Sequence, residues 1–185
     1  MTDVIHILNA SHLTDDELKA IAREIEHVFH SRVTVQRAGL DLERAFDGSR
    51  GQYNSNVLLG EIVNALGTPD AKEIAIVDVD LFIPVLTFIF GEAQLDGRGA
   101  IVSTYRLNDT LYGLPGNHEK LLHRLTKEIV HELGHTFGLY HCRQFECVMR
   151  SSTYVEEIDL KRTSPCAGCL DLLAQSRVVA QNSMG

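Results

Sequence analysis

The chain predicts a mixed α/β protein, a sheet backed by helices. Three observations lead there. Short apolar runs alternate with amphipathic helical stretches, one turn-rich connection joins two strand-like runs closely enough to pair them antiparallel, and no segment repeats.

Taken in order, VIHIL at 4–8 reads as a short buried strand. SHLTDDELKAIAREIEHVFH is a helix: Thr14 stands at its N-cap, acids fill the first turn, and Leu18, Ile21, Ile25, Val28 and Phe29 recur at helical spacing. RVTVQ, 32–36, alternates as a strand does. AFDGSRGQYNS, 45–55, reads as loop, and NVLLGEIVNAL as a second helix ended by Gly67 and Pro69. EIAIVDVDLFI, 73–83, is a strongly apolar strand on which Asp78 and Asp80 mark one polar face. TFIFGEA and GRGAIVSTYRL, joined by QLDGRG, form the antiparallel pair. HEKLLHRLTKEIVHELGHTFGL, 118–139, sets Leu121, Leu122, Leu125, Ile129 and Leu133 along one helix face and closes near Gly138. The tail from Glu156 holds one more helix, with Leu170, Leu172 and Leu173 as its core positions.

A length of 185 residues suits one packed domain, 1–185, rather than two. The net charge of −8, with basic residues scattered, provides no broad basic face, so no nucleic-acid partner is expected. MTDVIHILNA does not read as a secretory leader, and LFIPVLTFIF, 81–90, is too short for a membrane span and is broken by Pro84. No membrane partner is expected, and the expected compartment is the cytoplasm, where disulfides are rare.

The chemistry concentrates in HELGHTFGLYHC, 131–142. Residues four apart share a helix face, so His131 and His135 project toward one point, at the separation two imidazoles need on one Zn²⁺. Glu132 lies one residue round, able to reach a metal-bound water without ligating the metal. Gly138 lets the chain leave the helix and bring His141 to the same ion. Three neutral histidines leave a fourth position for water, as in catalytic rather than closed structural sites. The expected chemistry is hydrolysis of a peptide or protein substrate, with Glu132 as general base and then proton donor to the leaving amine.

Cys142 and Cys147 lie in the segment after the third histidine, and Cys166 and Cys169 form PCAGC. Two such pairs match a closed Cys₄ zinc site, the second of two zinc ions per chain. A thioredoxin-like reading of PCAGC is the alternative, and it leaves Cys142 and Cys147 without a role.

HELGHTFGLYH resembles the zinc-binding consensus of the metzincin metallopeptidases. The added pattern of Cys142, Cys147, Met149 and the CxxC at 166–169 resembles one branch, the archaemetzincins, as do FDGSRGQYNSNVLL and FIFGEA. The resemblance implies a zincin fold: a twisted, mostly parallel sheet, TFIFGEA as its antiparallel edge strand, a cleft, an active-site helix below it and a C-terminal helix. It places Met149 in the Met-turn under the metal. It divides the chain into a sheet part, about 1–138, and a part of about 139–185 carrying the third histidine, Met-turn and cysteines. One departure stands out. Where many metzincins carry a tyrosine two residues after that methionine, this chain has Ser151, with Tyr154 further on. Arg50 and Tyr53 in SRGQY are marked by the resemblance alone.

Within a peptidase reading, an aminopeptidase needs an acid to receive the substrate's free amine. Glu92 in the edge strand is the candidate, against a plain solvated edge charge. The competing class is a zinc-containing peptide-binding or regulatory module, against which an intact Glu132 argues. His118 and His123 read as surface or packing residues, and His6, His12, His27 and His30 form no constellation.

Overall fold

The computed structural model describes residues 4–65 and 71–182. In chain order the elements are β1 (Val4–Asn9), α1 (Asp15–Phe29), β2 (Arg32–Arg37), α2 (Leu42–Ala45), β3 (Phe46–Asp47), β4 (Gln52–Asn54), α3 (Ser55–Ala65), β5 (Lys72–Val77), β6 (Leu81–Phe82), β7 (Gly91–Ala93), β8 (Gly99–Ser103), α4 (His118–Thr136), α5 (Val155–Asp159) and α6 (Ala167–Asn182). Two short 3-10 turns, Tyr105–Leu107 and Asp109–Tyr112, join β8 to α4. No described helix is long and apolar enough to cross a membrane.

The main sheet has the order β2-β1-β5-β8-β7. Its first four strands run parallel, and β7 pairs antiparallel with β8 through Gly91↔Val102, Glu92↔Ile101 and Ala93↔Ala100. This is the mixed sheet with one antiparallel edge that the sequence predicts. Both faces are covered, which is why β5 reads as a continuous apolar run. Ile74 and Ile76 pack with α1 and α4 on one face, while Ala75 and Val77 pack with Leu58 and Ile62 of α3 on the other. Each such buried aliphatic side chain contributes about 1.5–3 kcal/mol.

Helix α1 starts at a capping box: the Thr14 hydroxyl accepts from the Glu17 N–H while the Glu17 carboxylate accepts from the Thr14 N–H. Its expected apolar face, Leu18 to Phe29, is buried.

Several expectations are corrected. The single strand expected over 73–83 ends at Val77, because Asp78 and Asp80 draw the chain into side-chain bonds rather than a ladder. Asp78 accepts from His12 and Thr104, and Asp80 accepts two bonds from Arg106 and one from Gln52. Of TFIFGEA only Gly91–Ala93 is strand. The expected loop at 45–55 carries β3 and β4, which with β6 make a second small sheet. The C-terminal part holds two helices, not one; α6 buries Cys169 and Leu173, one turn apart, leaving Leu170 and Leu172 outward at 41% and 55% exposure. Gly67 and Pro69 lie outside the described residues.

Arg124 ties the site helix to its surroundings. It is buried on α4 and donates two bonds to Asp159 of α5, one to Asp109 and one to the Leu107 carbonyl, each 2.7 Å. Replacing it leaves Asp109 and Asp159 with only the Lys120 ammonium, 3.3 and 3.4 Å away, and removes the buried charge that joins them to α4. Arg124→Met should therefore lower unfolding free energy by about 3–5 kcal/mol in urea titration, and a loss below about 1 kcal/mol would show the network to be dispensable.

Glu73 sits fully buried on β5, 3.5 Å from the Arg98 guanidinium. Burial pushes its pKa from 4.5 up to about 7, with Arg98 pulling the other way. A raised folded-state pKa means that this group's contribution is full at low pH and is lost as pH rises through about 7. Unfolding midpoints should fall between pH 4.5 and 7, and Glu73→Gln should flatten that decline.

Candidate metal and active site

Helix α4 ends as the sequence requires. Gly138 takes a left-handed φ of 86°, its N–H donates to the His135 carbonyl, and the Leu139 N–H reaches back to the Gly134 carbonyl, both at 2.9 Å. This is a Schellman closure, open to glycine at low cost. It reverses the chain so that residues 139–142 pass back beside the last turn of the helix.

Three imidazoles meet there. The ligand-capable atoms of His131, His135 and His141 lie within 4.8 Å of one another, with ring centroids 4.6–5.3 Å apart. The Nδ1 of His131 lies 2.8 Å from the Val148 carbonyl, and that of His135 lies 2.7 Å from the Leu139 carbonyl. A carbonyl only accepts, so each Nδ1 carries the proton and each Nε2 presents a lone pair. Those two Nε2 atoms are 3.1 Å apart. Two lone pairs facing at that distance repel unless a cation lies between them. Bonds of about 2.0–2.1 Å to a tetrahedral ion give an N···N edge of about 3.3 Å, so the donor set fits zinc. Burial is the main cause holding all three ring pKa values down, most strongly at His131, which favours the neutral form that can coordinate.

Glu132 is buried beside them. Burial pushes its pKa well above the carboxylate range, the Glu128 and Glu92 charges add to the rise, and Lys161 opposes it. Glu128, one turn earlier on the same face, lies 3.5 Å from the buried Lys161 ammonium. Both glutamates line a cavity of about 280 Å³ with His131, His141, Gly91 and Ser151. Ser151, which stands where many metzincins have tyrosine, thus faces the cleft, while Tyr154 is 66% exposed and does not line it. The edge strand crosses close above: a Cβ at Gly91 would lie 2.8 Å from the Glu132 Cγ and from the Ile101 carbonyl oxygen.

Met149 is fully buried and packs against Gly134 between the two histidines of HELGH. A Cβ at Gly134 would come 2.4 Å from its sulfur, so the glycine inside HELGH provides the clearance for the methionine. The Cys142 N–H donates to the Met149 carbonyl at 2.9 Å, lacing the third-histidine segment to that turn.

The cysteines form a second cluster. Sγ atoms of Cys142 and Cys166 are 3.8 Å apart, as are those of Cys147 and Cys169, and all four lie within 4.8 Å of one another. A disulfide would be about 2.05 Å, whereas a tetrahedron with bonds of about 2.3 Å has edges of about 3.8 Å. The Cys169 N–H, in the first turn of α6, lowers the Cys166 thiol to about 7, favouring the thiolate that a metal takes.

The structure brings together every histidine and cysteine that the sequence singles out for metal. It does not bring Glu92 into the same role. Glu92 accepts from the Ser55 hydroxyl at the start of α3, is half-buried rather than a solvated edge charge, and is not among the residues lining the cavity that holds Glu132. Arg50 is structural, donating to the Leu86 and Thr87 carbonyls with its guanidinium 4.1 Å from the Phe82 ring centroid. Tyr53 lies in β4. His118 is exposed and pairs with Glu17. Lys161, Glu128 and the clearances at Gly91 and Gly134 are not predicted; Glu128 alone had a signal, its four-residue spacing from Glu132.

Comparison with known proteins agrees with this geometry. The model of peptidase family M54 matches residues 11–175. An archaemetzincin from Methanocaldococcus jannaschii is 35% identical over 161 residues, 87% of each chain. The crystal structure of archaemetzincin from Methanopyrus kandleri superposes with a TM-score of 0.82 at 30% identity, covering 95% of each chain. A zinc-dependent peptidase from Methanocorpusculum labreanum gives 0.81 at 28% identity, over 91% of this chain and 99% of that one. The fold, the paired ligand clusters and these likenesses converge: this chain belongs to peptidase family M54, the archaemetzincin zinc metallopeptidases.

Proposed function

We propose that His131, His135 and His141 hold a catalytic zinc, that Cys142, Cys147, Cys166 and Cys169 hold a structural one, and that Glu132 is the general base of peptide-bond hydrolysis. The observation that carries this is the convergence of three neutral imidazoles beside a buried carboxylate, with His131, His141 and Glu132 lining one cavity. When bound, zinc acidifies a coordinated water and polarises the scissile carbonyl. Glu132 would then accept a proton from the attacking water and deliver it to the leaving amine. Burial and the Glu128 and Glu92 charges raise its proton affinity, which favours its accepting a proton.

The substrate peptide lies along β7. The Phe90 carbonyl and the Gln94 N–H bond across to β8, and the antiparallel ladder alternates, so the groups of Gly91 and Ala93 face the open edge. An extended peptide can add there as a further strand. The whole chain acts as one catalytic unit: about 1–138 supplies the edge strand and site helix, and about 139–185 the third histidine, Met149 and the cysteines. The thiolate cluster fits a reducing, cytoplasmic setting.

Elemental analysis should find two zinc ions per chain. Glu132→Gln should keep both and lower kcat by about 10²–10⁴-fold; wild-type, chelator-sensitive hydrolysis by that variant would remove Glu132 from its role. Cys166→Ser should lose one zinc and also weaken retention of the other, because His141 and Cys142 are consecutive. Unchanged affinity of the remaining zinc, measured by chelator competition, would show the two sites to be independent.

A further inference from the structure

The outward turn of Leu172 leads to a second feature of the cleft. With Leu95, Phe137, Leu139 and Tyr140, Leu172 lines an apolar groove of about 880 Å³ that has His141 at its inner wall. His141 also lines the smaller cavity that holds Glu132. The two spaces share His141 in their lining and both carry apolar side chains, Phe88, Ile89 and Phe90 in the cavity and Leu95, Tyr140 and Leu172 in the groove. The same edge borders both halves: Phe88 to Gly91 lie along the cavity, while Leu95 and Asp96, just beyond β7, lie along the groove. Contiguous apolar surface of this kind is rarely left open without a partner.

We propose that this groove binds the part of a peptide substrate on the N-terminal side of the scissile bond, making the enzyme an endopeptidase that favours apolar residues there. This rests on the catalytic centre proposed above. The assignment of sides follows from strand direction. β7 runs from the cavity toward the groove, and a peptide added antiparallel, the more stable pairing per residue, runs the other way. Its upstream residues cross Leu95 and Leu172, pass the histidines, and continue toward Glu128 and Ser151. An enzyme that removes single N-terminal residues needs a closed wall and an anchoring acid on the upstream side. Here that side is an open groove, whose acid, Asp96, is exposed and lies against Gly138.

The test uses zinc-loaded full-length protein and acetylated peptides carrying either Leu-Phe-Leu or Gly-Ser-Gly upstream of a common sequence. Internal cleavage of the acetylated peptides is expected, with kcat/KM about tenfold higher for the apolar series, the worth of about one buried aliphatic contact. Leu172→Glu, at an exposed position with little bearing on folding, should remove that advantage, and zinc content with the thermal midpoint reports its integrity. Equal rates for the two series would overturn the proposal. So would trimming only of peptides with free amines, one residue at a time and lost in Asp96→Asn. Absence of hydrolysis of every peptide would count against the catalytic reading instead. The groove would then be judged by binding of fluorescent acetylated peptides to zinc-loaded Glu132→Gln protein: tighter binding of the apolar series that Leu172→Glu abolishes supports it, and equal binding overturns it.

Discussion

Two backbone carbonyls govern the chemistry of this protein. The Val148 and Leu139 carbonyls each accept a hydrogen bond from a ring N–H of a histidine of α4, and by doing so turn the opposite nitrogens toward a common point. The sequence spacing puts His131 and His135 on one face, but spacing alone leaves the tautomer and ring angle open. Both carbonyls come from the segment that follows the helix, so the path of the chain after Gly138 aims the first two imidazoles as well as carrying the third. Met149 sets that path from below by filling the space that Gly134 leaves.

Burial acts on this site in two opposite directions that serve one end. It lowers the pKa of the imidazoles and raises that of Glu132, so every group is pushed toward its neutral form. Lys161 sharpens the effect on the histidines and moderates it on the glutamates. A dication entering such a pocket would meet lone pairs without competing protons, and its charge would favour the ionised form of the carboxylate beside it.

The features legible in the sequence are those that local chemistry dictates. The capping box at Thr14, the apolar face of α1, the helix break at Gly138 and the grouping of ligands by spacing all depend on residues near one another along the chain. What was not legible depends on partners far away. Asp78 and Asp80 alternate like strand residues, yet Arg106, Thr104 and Gln52, all distant in sequence, pull them out of the ladder. Leu172 has the composition of a core residue, and only the packing of Cys169 and Leu173 shows that it must face outward. Glu92 reads as an edge charge because Ser55 lies 37 residues away. Gly91 and Gly134 look ordinary until the groups that crowd them are in place.

The adjacency of His141 and Cys142, reinforced by the Cys142 N–H on the Met149 carbonyl, has a thermodynamic corollary. Occupancy of the thiolate cluster and occupancy of the imidazole cluster each bias the same short segment, so any factor by which one ion tightens the other must be returned in full. Stripping by a mild chelator would then be cooperative, with partly loaded molecules scarce relative to full and empty ones.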